Sequence, residues 1–236
     1  MYTTFGMPVG NSVNEVAGYY SGIAGSAYSS WQRRLSRRMG PIVARKFLPY
    51  VDSTKVVLDF GCGDGSVLEA LPARRRLAVE PNPASRNVHN AALLESQESL
   101  FTVPERSIDV AISNHALEHC LAPLSALAQI REKVKPNGKL VLIVPIDDWR
   151  RQRTYDTRDV NHHLYTWTPQ LLGNLLHEAG FQVETIEISR HAWPPAVRFL
   201  TGLPPPLFDA VCRVWSRLSL IAEIRAVATL RIVSPT

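Results

Sequence analysis

Val56-Val57-Leu58-Asp59-Phe60-Gly61-Cys62-Gly63-Asp64-Gly65 is the stretch whose reading decides the fold. An apolar run of strand-forming residues passes into three glycines at alternate positions, and Ser66–Leu71 then opens a helix. A strand that is apolar on both faces belongs in a parallel sheet covered by helices on each side. Glycines after such a strand permit positive φ and let the backbone approach a ligand to contact distance. The next apolar run, Leu77–Glu80, ends in a carboxylate about 20 residues after the first glycine. In a doubly wound sheet the first two strand ends adjoin, so Glu80 can accept both hydroxyls of a ribose.

Two ligands suit this geometry. A dinucleotide site wants G-x-G-x-x-G with a pyrophosphate at the helix start. Here the spacing is G-x-G-x-G, residue 66 is serine, and Asp59 precedes the loop. A carboxylate there repels a pyrophosphate but suits a cationic ligand with an α-amino group. The residues therefore point to S-adenosylmethionine, with Asp59 near its amine.

Working outward, Ile108–Ser113 and Lys139–Pro145 are further apolar strands. Between them Leu117, Leu121, Leu124, Ala128, Ile130 and Val134 form a helical stripe stopped at Pro136-Asn137-Gly138. Thr168-Pro169 caps and starts a helix that Gly180 ends. Phe181–Ile188 alternates as a strand, and Glu223–Val233 is the last strand candidate. On the N-terminal side, residues 1–27 read as a loosely packed arm. Trp31, Leu35 and Met39 mark a helix from Tyr28 that Gly40-Pro41 should break, with a second helix running towards Leu48.

The expected architecture is α/β and doubly wound. It is a Rossmann-like, seven-stranded, mostly parallel sheet with helices on both faces and an antiparallel last strand. Residues 1–50 are expected to form an arm and helical cap, and 51–236 one core carrying a Pro-rich insertion at about 190–222. In that insertion Phe208, Val211, Cys212, Trp215 and Leu218 share a stripe, with Asp209, Arg213 and Arg217 opposite.

The chain has 236 residues, of which 45% are hydrophobic and 20% charged. That is ordinary globular usage and excludes disorder as the main state. The longest apolar runs are too short for a membrane span, and no secretory signal pattern opens the chain. Three widely spaced cysteines (Cys62, Cys120, Cys212) give neither a disulfide framework nor a zinc pattern, so a reducing, cytoplasmic setting is expected. The net charge of +5 comes largely from arginines bunched at 33–38, 74–76 and 150–153. Without interleaved aromatics these are solvated faces, and no specific nucleic-acid partner is expected.

The sequence resembles the class I S-adenosylmethionine-dependent methyltransferases, in the methyltransferase type 11 group typified by ubiquinone and menaquinone biosynthesis enzymes. The resemblance rests on VLDFGCGDG (57–65), AVEPNP (78–83), SIDVAISNHALEHC (107–120), IREKVKPNGKLVLIVP (130–145) and YTWTPQLLGNLLHEAGFQV (165–183). It implies that Asp59, Gly61, Gly63, Gly65, Glu80, Pro81, Asn82, Ser113 and Asn114 hold S-adenosylmethionine. The adenine-contacting acid usual in such proteins falls in Glu95–Leu100, without a settled register.

His115, Glu118 and His119 occupy one face of a turn beside the expected methyl group, and His162-His163 lies in a segment that passes over the same pocket in relatives. Direct methyl displacement asks for alignment and removal of the acceptor's proton. His119, His162 and His163 are accordingly the catalytic candidates, for a small-molecule or lipid-like acceptor methylated at oxygen. Glu118-His119 also partly resembles the Glu-x-x-Glu-His helix with which small-RNA 2′-O-methyltransferases hold a divalent ion. His115 replaces the first Glu, and no metal is expected. The insertion could carry a peripheral membrane contact. Two other readings stay open: a nicotinamide-dependent oxidoreductase, and a catalytically silent methyltransferase-like subunit.

Overall fold

The computed structural model describes residues 36–231, apart from 149, 151, 158, 160 and 196. The arm over 1–27, the first helix up to residue 35, Arg33, Arg34 and Arg151 lie outside the described residues. Helix α1 covers 36–44. It is followed by β1 (Val56–Phe60), α2 (Ser66–Glu69), β2 (Arg75–Val79), α3 (Pro83–Arg86), β3 (Glu95–Gln97) and β4 (Ile108–Asn114). Then come α4 (Pro123–Lys133), β5 (Val134–Ile146), α5 (Pro169–Glu178), β6 (Phe181–Ser189), α6 (Pro205–Ser219) and β7 (Ala222–Leu230).

Seven strands form one sheet in the order β3-β2-β1-β4-β5-β7-β6. Strands β1 to β5 run parallel, and β7 is antiparallel to both β5 and β6. The chain reverses between β1 and β4, and in sheets of this kind ligands bind beyond the carboxyl ends at that switch point.

Each face of the sheet has its own core. On one, Leu58, Ile108, Leu127, Ile130, Leu172 and Leu176 pack the sheet against α4 and α5. On the other, Val43, Phe47, Leu68 and Leu71 pack beneath Val57, Ile112 and Val141. A third cluster of Met39, Val197, Phe208 and Cys212 seats α6 against α1.

Several local expectations are corrected. Helix α1 runs through Gly40-Pro41 instead of breaking there. Gly40 is instead a contact point, because a Cβ on it would lie 2.6 Å from the Ser66 carbonyl oxygen. The stripe from Leu117 to Val134 is also not one helix. A 3-10 turn over Leu117–His119 ends at Cys120, and Pro123 starts α4 afresh. The new phase leaves Leu121 and Leu124 exposed and puts Leu127 and Ile130 in the core. Pro136-Asn137-Gly138 lies within β5, where pairing with β4 jumps from Val134 to Lys139 and absorbs the irregular residues.

In α6 the buried residues are Phe208, Cys212 and Ser216, while Leu218 is 75% exposed. Asp209 keeps 33% of its side chain exposed but is tied into the fold. It accepts from Arg45 Nη2 at 3.0 Å and lies 3.3 Å from His191 Nε2. Strand β3, unforeseen, is three polar residues long and so carries no apolar pattern.

Candidate active site

The glycine loop sits at the carboxyl end of β1. Gly61, Gly63 and Gly65 have φ of +74°, +57° and +79°. Gly61 N and Cys62 N both donate to the Val79 carbonyl, at 2.9 and 3.2 Å, which ties the loop to the end of β2. A Cβ on Gly61 would lie 2.3 Å from Ala116 Cβ, so any other residue would have to push back the turn after β4.

Glu80 crosses to this loop. Its Oε2 accepts from Gly63 N at 2.9 Å and its Oε1 from Asn82 N at 2.9 Å. Asn82 in turn caps α3, accepting from Ala84 N at 2.9 Å. Arg86 Nη1 donates to the carbonyls of Glu80 and Pro81, both at 2.7 Å, and fixes the bend that follows β2.

Asp59 and Glu80 are both buried. Burial pushes Asp59 up to about 8, and the neighbouring Glu80 charge adds to the shift. Burial also pushes Glu80 up to about 7, against the amides of Asn82 and Gly63 and the Arg86 charge. Two acids held this way are suited to receiving a cationic ligand and its hydroxyls.

Two cavities meet over the loop. The smaller, about 170 Å³, is lined by Phe60, Val79, Glu80, Pro81, Asn82 and Glu98, among others. The larger, about 750 Å³, is lined by Asp59, Asn114, Glu118, Lys46, His163 and Trp193, among others. Gly61, Gly63, His115 and His119 face both. Asn114 Oδ1 is buried without a hydrogen-bond partner among the described residues.

The fit to a nucleoside bearing a cationic amine tail rests on three observations. The glycine cradle would be filled by a Cβ, two buried carboxylates stand at adjacent strand ends, and an orphaned amide oxygen faces the cleft.

Of the residues singled out in the sequence, Asp59, Gly61, Gly63, Glu80, Pro81, Asn82 and Asn114 line these cavities. Gly65 and Ser113 do not. Gly65 turns the chain into α2 beneath Leu94, and Ser113 Oγ donates to the Phe60 carbonyl at 2.9 Å. Glu98, Ser99 and Leu100 line the smaller cavity, inside the Glu95–Leu100 segment where the expected adenine contact had no settled register. Lys46 and Glu223 on the larger cavity were missed.

The histidines divide. His119 and His163 stack edge to face with ring centroids 5.0 Å apart. His162 is exposed at φ +48°, its amide donating to Asp159 Oδ2 at 3.2 Å. Burial pushes His119 down to about 4, with the His163 charge adding to the effect, so His119 is neutral near pH 7. For His163 burial works against the charge, but the hydrogen bond and charge of Asp147 outweigh it and raise the pKa. Its Nδ1 lies 2.8 Å from Asp147 Oδ2. On the far wall Glu223 joins Lys46 Nζ at 2.7 Å and His115 Nε2 at 3.4 Å. Burial would raise Glu223, but Lys46 and His115 override it and hold it at about 2.

Residues 31–186 match the model of a family described as a methyltransferase domain. The chain thus belongs to that family and, with this sheet, to the class I S-adenosylmethionine-dependent methyltransferases. It is 30% identical over 152 residues to an uncharacterised 37.1 kDa protein in transposon TN4556 of Streptomyces fradiae, covering 55% of this chain and 44% of that protein. It is 30% identical over 97 residues to the ubiquinone biosynthesis O-methyltransferase of Cereibacter sphaeroides, covering 36% and 39%. The chain thus spans less than half the length of these curated relatives. Among solved structures, a SAM-dependent methyltransferase from Archaeoglobus fulgidus has the same fold. Its TM-score is 0.59 at 19% identity, covering 86% of this chain and 99% of that one.

Proposed function

We propose that this chain transfers a methyl group from S-adenosylmethionine to an oxygen of a small or lipid-like acceptor. The observation that carries this reading is the pair of buried carboxylates, Asp59 and Glu80, flanking a positive-φ glycine loop that opens into a second, larger cavity. When bound, S-adenosylmethionine supplies an electrophilic methyl group on a sulfonium. Glu80 takes the ribose hydroxyls, Asp59 and Asn114 face the amine end, and Glu98–Leu100 border the base. The acceptor occupies the larger cavity, with its hydroxyl beside His119 and His163 on the cavity wall.

Residues 190–222 supply the acceptor's approach. Phe199, Leu207, Val214 and Leu218 are exposed, and Arg198, Arg213 and Arg217 lie among them. The only acid in that stretch, Asp209, is turned onto Arg45 and His191. Such a face suits anionic lipid and a lipid-borne acceptor. No helix among the described residues is long and apolar enough to cross a membrane. Three free cysteines fit a cytoplasmic setting.

The carboxylate at 59 speaks against a nicotinamide dinucleotide. Calorimetric titration with S-adenosylmethionine and with NAD tests the choice, and transfer of labelled methyl to an acceptor panel tests activity. The reading expects 1:1 binding of S-adenosylmethionine only. Preference for NAD would overturn it, and binding without turnover on any acceptor would favour the silent-subunit reading.

A further inference from the structure

The 3-10 turn Leu117–His119 buries a carboxylate that no hydrogen bond answers among the described residues. Glu118 is fully buried, it lines the larger cavity, and neither carboxylate oxygen has a hydrogen-bond partner among the described residues. Two imidazole nitrogens, His115 Nδ1 and His119 Nε2, each stop 3.9 Å from Glu118 Oε1. A buried carboxylate is normally paired or metal-bound, because leaving it alone forfeits its hydration without return. The alternative uses of Glu118 are limited, since its backbone carbonyl, not its side chain, accepts from Leu164 N at 2.9 Å. That bond fixes the segment carrying His163 against the turn.

The surrounding groups complete a donor set. One ligand atom each from Glu118, His119 and His163 lies within 4.8 Å of the others. Ligand atoms about 2.0–2.2 Å from a divalent ion can be roughly 4.3 Å apart at most, so closure needs about half an ångström of side-chain rotation. His163 is prepared for this. Asp147 occupies its Nδ1 at 2.8 Å, which leaves Nε2 as the ligating nitrogen. A carboxylate on the far ring nitrogen is the usual support of a metal-bound histidine, setting its tautomer and orientation. The His119 ring is likewise held, by a hydrogen bond with the His162 backbone.

We propose that Glu118, His119 and His163 form a divalent transition-metal site, supported by Asp147, whose open coordination positions face the acceptor cavity. One carboxylate and two imidazoles suit Zn²⁺, Co²⁺ or Mn²⁺ and leave positions free for an added ligand. In the acceptor such positions select oxygen donors: a hydroxyl, or two neighbouring oxygens that can chelate. The role in acceptor selection rests on the methyltransferase reading above. The site itself does not, because metal binding is measured without acceptor or turnover.

The test uses the full chain, untagged and dialysed against chelator, titrated with Co²⁺ and followed by visible absorption and metal analysis. S-adenosylhomocysteine binding is measured in parallel. The expected result is one Co²⁺ per wild-type chain, with affinity falling about 100-fold or more in Glu118→Gln and in His163→Ala. Asp147→Asn should weaken it by about 10–100-fold, with S-adenosylhomocysteine affinity unchanged in all three variants. Co²⁺ should also raise the wild-type melting temperature but not that of E118Q. Wild-type chain that binds S-adenosylhomocysteine yet takes up Co²⁺ no better than E118Q or H163A overturns the site. Failure to bind S-adenosylhomocysteine, with Co²⁺ still bound, overturns the cofactor reading instead.

Discussion

The two halves of the cleft are built differently. On the cofactor side the hydrogen bonds of the Glu80 carboxylate are local: Gly63 and Glu80 are 17 residues apart, and Asn82 and Glu80 are two apart. On the acceptor side they are remote. Lys46 meets Glu223 across 177 positions, Arg45 meets Asp209 across 164, and His115 meets Glu223 across 108. The first half is made of backbone turns that a short sequence must encode by itself. The second exists only once α1, β4, α6 and β7 have been brought together by the sheet. A change on the cofactor side should therefore act on ligand binding, and one on the acceptor side on stability or acceptor handling.

The largest expected effect lies on the acceptor side. Lys46→Met leaves Glu223 buried with His115 Nε2 3.4 Å away, and removing one partner of a buried pair costs about 3–5 kcal/mol. Lys46 keeps some exposure, so the lower end is expected in a denaturant melt. The wild-type pair also sets an acid limit. Glu223 is held at about 2, below its unfolded value, so its stabilisation is present above about 4.5 and lost as pH falls through 2. A K46M chain as stable as wild type would erase the contrast.

Gly61→Ala comes next. A left-handed non-glycine residue costs about 1–2 kcal/mol, and the contact with Ala116 adds to that. S-adenosylhomocysteine affinity should fall more than about 100-fold, or about 2.7 kcal/mol. Glu80→Gln should be milder. Losing charged hydrogen bonds to a ribose costs about 1.5–3 kcal/mol in binding, and because the Gln amide offers one acceptor oxygen where Glu80 serves both Gly63 N and Asn82 N, one of those two donors also loses its partner. Equal losses of stability and binding in both variants would blur the two halves.

The smallest effect concerns α6. Leu218→Ser should leave the melting temperature within about 1 °C, since surface changes are usually within about 0.5 kcal/mol. It should reduce co-sedimentation with anionic vesicles at low salt by severalfold. Absence of wild-type binding to such vesicles would remove the lipid face from the account.

Legibility in the sequence followed the same divide. The apolar runs of β1, β2, β4 and β5 and the alternate glycines identified the sheet and its switch point, because burial on both faces leaves an unmistakable composition. Asp59 and Glu80 were readable as strand-end residues for the same reason. Ser113 sits at the right strand end, but its hydroxyl is used within the sheet by the Phe60 carbonyl, a choice no one-dimensional pattern records. Glu98 falls in the Glu95–Leu100 segment expected to meet the adenine, but the three-residue polar β3 left the register there open. Gly40-Pro41 reads as a break, yet helix α1 continues because Gly40 is needed where it meets Ser66. His119 and His163, 44 positions apart, were individually visible. Their edge-to-face contact, and the unanswered Glu118 beside them, follow only from tertiary placement.

The central claim is that Asp59 and Glu80 together receive a cationic cofactor, and proton linkage tests it most directly. Without ligand the folded chain holds protons on these acids that the unfolded chain releases above about 4. Their contribution to stability is therefore present below the unfolded values and lost as pH rises through about 7 and 8. A cation bound to their ionised forms must displace those protons. Calorimetry of S-adenosylmethionine binding at pH 6.5, in buffers of different ionisation enthalpy, should show 1:1 binding with net proton release. Affinity should rise up to about tenfold per pH unit for each proton released, and the effect should shrink in Asp59→Asn and Glu80→Gln. Binding that takes up no buffer enthalpy, is flat from pH 6 to 8 and is unchanged in both variants would contradict the account.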